Sequence, residues 1–257
     1  MKAMILAAGL GTRLRPLTND RPKALVEVGG RTLLEITLAR LRDFGIRDVI
    51  INLHHFTPMM QDYLQAHQNF GMHIEVSCED VLLDTGGGLK KAAWFFLQDA
   101  GAADEPFILH NVDVLSTIDL ARMLQFHNEH RALATLAVQD RKTSRYLLFD
   151  DNLQLCGRRS SPRHSDLQAK AEPAELARPC ADPQPLAFSG IHVISPRLLS
   201  MLTEDSVFSI ITSYLRLAAQ GEKIQAFRAD EYYWRDLGKP ENIQQAAQDL
   251  QHGLIPQ

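Results

Sequence analysis

An apolar strand that breaks directly into a glycine turn constrains this chain more than any other feature. Met4-Ile5-Leu6-Ala7-Ala8 is followed without a spacer by Gly9-Leu10-Gly11-Thr12-Arg13-Leu14. A short, continuous apolar run bounded by glycine reads as a buried strand. Two glycines bracketing one residue let the backbone turn sharply and bring its N–H groups close to an anion. Arg13 adds a planar, always charged fork suited to phosphate oxygens, and Lys23, in Arg21-Pro22-Lys23-Ala24-Leu25-Val26, adds a compact ammonium. A glycine turn with two cations implies a ligand the size of a triphosphate. A plain strand-to-loop turn with surface charges is the alternative reading of the same residues. A dinucleotide fingerprint would need a third glycine where Leu14 stands, and no GxxxxGK[ST] run occurs, so neither common nucleotide signature is met.

The segments beyond the turn set the fold class. Leu34, Leu38, Leu41 and Phe44 recur at helical spacing, with Gly45 placed to end the helix. Val49 to Leu53 reads as a strand, Tyr63, Leu64 and Phe70 as a helix, and Ile74 to Ser77 as a third strand. Thr85-Gly86-Gly87-Gly88 reads as a loop opening a helix marked by Leu89, Ala92, Ala93, Phe96 and Leu97, and Trp94-Phe95-Phe96 on it reads as core. Phe107 to Leu109 is a further strand, ending at His110-Asn111-Val112-Asp113. Strands alternating with helices predict a mostly parallel sheet with right-handed crossovers. The second half, with strands near 134–138, 146–149 and 188–194 and helices near 118–128 and 210–219, predicts a mixed continuation. Residues 157–185, rich in Pro, Ser, Arg and Ala without apolar period, predict a long loop or lid.

Composition narrows the partners. With 257 residues and 45% hydrophobic content, the chain can bury one full core, and 1–257 is expected to be a single domain. A net charge of -4 provides no general field for nucleic acid or an acidic membrane. Small-molecule partners, no nucleic acid and no membrane are expected. Cys78, Cys156 and Cys180 lack CxxC spacing, and nothing resembles a leader or a membrane span, so a reduced, cytoplasmic protein is expected. No oligomeric state is assigned.

Ligands of open parallel sheets sit beyond the carboxyl ends of the strands, where Gly9–Arg13, Thr85–Gly88 and Asn111–Asp113 are expected to meet. Asp113 is a candidate oxygen ligand for a magnesium ion, which takes one or two carboxylates together with phosphate oxygens and water. A cap on the following helix is its alternative reading. Asp236, in Trp234-Arg235-Asp236-Leu237-Gly238, is a candidate second carboxylate or a surface turn residue. The glycines at 86–88 leave room for a planar base against the backbone, with helix N-terminal amides nearby, or form a flexible loop. His54, His55 and His110 lack HxxxH spacing and read as ordinary polar residues.

The run from Lys2 to Gly29, with AAGLGTRLRPLT and RPKALVEV, resembles the signature of the sugar-1-phosphate nucleotidyltransferases. The resemblance implies a Rossmann-like, three-layer α/β/α nucleotidyltransferase fold with a mixed, mostly parallel central sheet. It implies a nucleoside triphosphate on Ala7, Ala8, Gly9, Gly11, Thr12, Arg13, Lys23, Gly86, Gly87, Gly88 and Asn111. Arg13 is expected on the departing pyrophosphate, Lys23 on the reacting phosphate, and Asp113 and Asp236 on Mg2+, with Arg13, Lys23 and Asp113 catalytic. DTGGG and the F-S-G-I context of Ser189-Gly190-Ile191 look most like the branch that makes UDP-N-acetylmuramate, favouring UTP, and mannose-1-phosphate guanylyltransferases are similar too.

The chain departs from the family at Val112, where a glycine is usual, and this side chain is expected to crowd sugar or ribose and shift the substrate preference. No YG pair follows Ser144-Arg145-Tyr146, and no sugar-binding residue is assigned. A non-catalytic nucleotide-sensing subunit of the same fold, or a glycosyltransferase using Asn111-Val112-Asp113, are the other readings.

Overall fold

In a computed structural model of the protein, the described residues are 1–98, 105–160 and 174–255. In chain order the elements are β1 (Lys2–Leu6), β2 (Glu27–Val28), β3 (Arg31–Thr32), α1 (Leu33–Asp43), β4 (Asp48–Leu53), α2 (Thr57–Ala66), β5 (His73–Cys78), α3 (Asp84–Lys91), α4 (Ala93–Leu97), β6 (Phe107–Asn111), β7 (Val114–Ser116), α5 (Leu120–His130), β8 (Ala134–Gln139), β9 (Arg145–Phe149), β10 (Leu155–Ser160), β11 (Glu175–Leu176), β12 (Gln184–Ile194), α6 (Ile210–Ala219), β13 (Ile224–Arg228), β14 (Trp234–Asp236) and α7 (Pro240–Gln251).

The centre of the sheet is parallel, in the order β5, β4, β1, β6. From β6 outward the sheet is mixed: β12 runs antiparallel to β6, to β8 and to β9, and β13 lies parallel to β8. The eleven-residue β12 serves all three neighbours because its register against β8 shifts between Phe188 and His192, a bulge that bends the strand. Gly190 sits within that shift at a φ of +76°, a conformation side chains rarely adopt.

Alternate residues of each central strand feed two separate cores, which makes the third layer. Ala3, Ile5, Val49, Ile51 and Ile108 pack with α1, α2, α5 and α7, while Met4, Ile50, Phe107 and Leu109 pack with α3, α4 and α6. On α1, Leu34, Leu38 and Leu41 are fully buried, each contributing about 2 kcal/mol of apolar transfer energy. Phe44, expected on the same face, comes after the last helical residue and is 36% exposed. Gly45 then takes a φ of +80°, which ends the helix as expected.

Three other expectations are corrected. The glycines at 86–88 lie inside α3 and not in a loop before it, and they are buried. The predicted single helix breaks at Ala92 into α3 and α4, and of Trp94-Phe95-Phe96 only the phenylalanines enter the core, Trp94 being 42% exposed. Within 157–185, residues 161–173 lie outside the described residues. The flanks are strand: β10 pairs with β11, and β12 begins at Gln184.

Among the described residues, no helix is long and apolar enough to cross a membrane.

Candidate active site

The register of the parallel strands builds the floor of the site. Leu6, the last residue of β1, lies level with Asn52 of β4 on one side and Asn111 of β6 on the other. Two amide side chains therefore flank the point where the backbone leaves the sheet for the glycine turn. Asn52 is buried, and its Oδ1 accepts from the Ala7 N–H at 2.8 Å while its Nδ2 donates to Glu79 Oε1 at 2.7 Å. Glu79 Oε2 in turn accepts from the Leu83 N–H at 2.9 Å, just ahead of α3. A fully bonded buried network of this kind fixes its backbone partners, so the start of the glycine turn is tied to the start of α3. Sequence reading missed both residues. The one available signal was the asparagine in the otherwise apolar run Val49-Ile50-Ile51-Asn52-Leu53.

That network also explains the glycine triplet. A Cβ on Gly88 would lie 2.7 Å from Glu79 Oε1 and 2.8 Å from Asn52 Nδ2, and one on Gly86 would lie 2.3 Å from the Phe208 ring. The Gly86 and Gly87 N–H groups both donate to the Phe208 carbonyl, at 2.9 and 3.2 Å. The triplet is thus a close-packing device, and these two amides are already engaged.

The glycine turn itself leaves Ala7 and Ala8 buried and Gly9, Thr12 and Arg13 exposed. Gly11 has a φ of +63° and precedes the single 3-10 turn Thr12–Leu14. A second 3-10 turn, Lys23–Leu25, begins after Pro22 and directs Lys23 back toward the sheet. A Cβ on Gly11 would stand 3.2 Å from Lys23 Cβ, so the turn and the lysine pack together.

Asp113 and Asp236, 123 positions apart in the chain, meet on one two-stranded ladder. Asp113 immediately precedes β7, and Asp236 ends β14 opposite Val114. The Leu237 N–H donates to the Asp113 carbonyl at 2.8 Å, closing the ladder. Lys23 Nζ donates to Asp113 Oδ2, each side chain being 14% exposed. Arg13 Nη2 lies 4.0 Å from Asp236 Oδ2, and the Gly238 N–H donates to Asp236 Oδ1 at 2.8 Å. A side chain at 238 would collide with both groups, since its Cβ would stand 2.7 Å from Arg13 Nη2 and 2.8 Å from Asp236 Oδ1.

Electrostatics sets the two acids apart. Burial opposes ionisation of Asp113, yet the Lys23 ammonium, hydrogen bonds from Lys23 and Asp236, and its own backbone N–H outweigh it and hold the carboxyl below the usual range. Burial, and then the Asp113 charge, push Asp236 up, with the Gly238 N–H, Lys23 and Arg13 offsetting part of the rise. Two carboxyls sharing one site behave in this way. The helix cap expected as Asp113's alternative role belongs to Asp119, whose side chain accepts from the Arg122 N–H.

The donor set is two carboxylates, Asp113 and Asp236, brought together by the β7–β14 ladder; this is the number of protein carboxylates a magnesium ion takes when phosphate oxygens and water complete its shell. Asp236 is held up first by burial and second by the Asp113 charge, and a divalent ion between the two acids would offset the second.

Val112 does not crowd this space. It is 2% exposed in the core beneath β1, and its N–H donates to the Leu6 carbonyl at 3.2 Å. The expected shift of substrate preference through this side chain therefore loses its basis.

This chain belongs to the nucleotidyl transferase family, whose signature matches residues 2–253. Its relatives include N-acetylmuramate alpha-1-phosphate uridylyltransferase of Caulobacter vibrioides, 32% identical over 250 residues that span 93% of this chain and 92% of that protein. The UTP--glucose-1-phosphate uridylyltransferase of Synechocystis is 27% identical over 96% of this chain, and the mannose-1-phosphate guanylyltransferase of Mycobacterium tuberculosis 28% over 99%. The chain spans only 62% and 66% of those two proteins. The same fold is seen in a putative glucose-1-phosphate thymidylyltransferase from Bacillus anthracis, with a TM-score of 0.75 at 18% identity over 96% of this chain and 94% of that one. It is also seen in HddC from Yersinia pseudotuberculosis, with a TM-score of 0.73 at 20% identity over 97% and 99%.

Proposed function

We propose that this protein transfers a nucleoside monophosphate from a nucleoside triphosphate, UTP first among them, to a sugar 1-phosphate, releasing pyrophosphate and forming a nucleotide sugar. The observation that carries the reading is the convergence of Lys23, Asp113, Asp236 and Arg13 at the end of β1. In this reading 1–257 acts as one nucleotidyltransferase domain. The glycine turn from Ala7 to Thr12 cradles the triphosphate, and Asn111 lines the nucleotide. Gly86, Gly87 and Gly88 shape the base side of the pocket by letting the start of α3 lie close against Phe208, Asn52 and Glu79.

A phosphate oxygen of the acceptor attacks the α-phosphorus opposite the leaving pyrophosphate. The acceptor is ionised at neutral pH, so catalysis is positioning plus charge neutralisation and needs no general base. Arg13 holds the pyrophosphate, and Lys23, moving from Asp113, stabilises charge on the α-phosphate. Asp113 and Asp236 would hold magnesium, which when bound supplies further neutralisation of the phosphate oxygens. The preference for UTP rests on the 32% identical uridylyltransferase, which this chain matches across nearly its whole length. Guanylyl transfer to mannose 1-phosphate is the next reading, supported by shorter coverage of those relatives.

Pyrophosphate release with UTP, dTTP, GTP and CTP against a panel of sugar 1-phosphates, with and without Mg2+, tests this directly. UTP with one acceptor and Mg2+ is expected to turn over fastest. Triphosphate binding with no pyrophosphate released from any pair would instead mark a nucleotide-sensing protein.

A further inference from the structure

Arg141 is a half-buried cation that makes no ion pair among the described residues. It lies just after β8, and its Nη2 donates to the Phe188 carbonyl at 2.7 Å. Its guanidinium carbon lies over Trp234, 3.6 Å from the ring centroid, and Trp234 Nε1 is fixed by the Ser189 carbonyl at 2.7 Å. The fork is thus held flat against a shelf that is itself anchored to the β12 bulge. Its Nε is buried without a partner, and among the described residues no carboxylate lies within ion-pair distance of it. Burial lowers its pKa to about 10, and Asp236 and then Tyr146 offset only part of that. A guanidinium withdrawn from water needs an anion. A cation–π contact of about 0.5–2 kcal/mol replaces only part of the lost hydration.

Its position tells which anion. Trp234 and Asp236 alternate along β14 and so share a face, which puts the shelf that holds the Arg141 fork and the Asp236 carboxylate on the same side of the ladder. Arg13 approaches the same carboxylate from the glycine turn. Two guanidiniums on separate elements, one after β1 and one after β8, therefore attend one acid. In the reaction proposed above, two phosphates meet at the acid pair, and Arg13 and Lys23 are committed to the triphosphate. We propose that Arg141 binds the phosphate of the acceptor sugar 1-phosphate, with the Trp234 shelf fixing the plane of its fork. This rests on the proposed nucleotidyl transfer and adds to it the residue that selects a phosphorylated acceptor.

The test is steady-state kinetics of Arg141→Gln and Arg141→Lys, with the best acceptor from the panel and with inorganic phosphate as a competitor. Loss of a charge-assisted contact of the usual strength raises the acceptor KM about 10- to 100-fold in Arg141→Gln. The triphosphate KM should stay within about twofold, and inorganic phosphate should inhibit the variant far less than the wild type. Arg141→Lys keeps the charge without the fork and should fall between the two; it also serves if Arg141→Gln does not fold. An acceptor KM within about threefold of wild type in both variants, or a triphosphate KM that rises in parallel, overturns the assignment. A wild type that turns over no acceptor counts against the nucleotidyl transfer itself, and is read before any variant is made.

Discussion

Asp113→Asn is expected to lower pyrophosphate release at saturating substrates by a factor of about 100 to 1,000 or more, the usual loss when one preorganised stabiliser of developing charge is removed. The variant should stay folded, for a reason visible in the site. Breaking a buried ion pair normally costs about 3–5 kcal/mol because the remaining charge is stranded. Here a second acid is at hand, because the bond from the Leu237 N–H to the Asp113 carbonyl sets Asp236 beside residue 113, and burial and then the Asp113 charge hold its carboxyl up. Once residue 113 is neutral, Asp236 ionises more readily and can take over the ammonium. Thermal unfolding of the variant close to that of wild type, with turnover lost, is the expected pair of results. A fall in turnover of only about tenfold would reduce Asp113 to an indirect, positioning role.

The second large effect is on stability, and it comes from histidines outside the site. His110, on β6, bonds through Nδ1 to its neighbour's carbonyl at 2.8 Å, and His192, on β12, bonds Tyr214 at 2.9 Å. His127, on α5, bonds Thr135 and Ser195 at 3.0 and 3.1 Å. Burial lowers His110 and His192 to about 3 and His127 to about 4, with a further push from Arg40 on His110 and from His110 on His192.

Each is therefore neutral when folded, while the unfolded chain takes up a proton below about pH 6.5. Between that value and the folded pKa the unfolded state binds more protons, so stability is full above pH 6.5 and falls as the pH drops. At pH 5 the loss is about 2 kcal/mol per histidine, or about 6 in total, which rivals the 5–15 kcal/mol that holds a typical domain together. Urea unfolding should show a much lower midpoint at pH 5 than at pH 7. The carboxylates held low, such as Asp113, Asp150 and Asp230, act only at still lower pH, because their stabilisation is lost below the ordinary carboxylate range. Equal midpoints at pH 7 and pH 5 would contradict the buried, neutral state of these histidines.

Much of this architecture is legible in the chain because its signals are local. The continuous apolar run Met4 to Ala8 falls on β1, which begins two residues earlier and ends at Leu6, and the spacing of Leu34, Leu38 and Leu41 matches α1. The convergence of Asp113 and Asp236 is not local, and only the resemblance to a family linked them before the β7–β14 ladder was seen. The triplet at 86–88 misled for a physical reason. Glycine signals conformational freedom in a sequence, but in α3 its use is the missing Cβ, which lets a helix approach Phe208, Asn52 and Glu79. Val112 misled because a position next to a site residue need not face the site; in the turn between β6 and β7 its side chain is taken into the core while Asp113 reaches Lys23. Arg141 carries no motif and Trp234 stands out only as the opening of the segment that holds Asp236, and their pairing exists only once β8, β12 and β14 are assembled.

In the proposed reaction two distant acids hold one divalent ion beside a triphosphate cradled by the first glycine turn. Electron paramagnetic resonance of Mn2+ titrated into the protein with UTP, without acceptor, tests it most directly. The wild type should bind one ion per chain, and Asp113→Asn and Asp236→Asn should each lose that binding. Wild-type affinity for Mn2+ in either single variant would contradict a shared site.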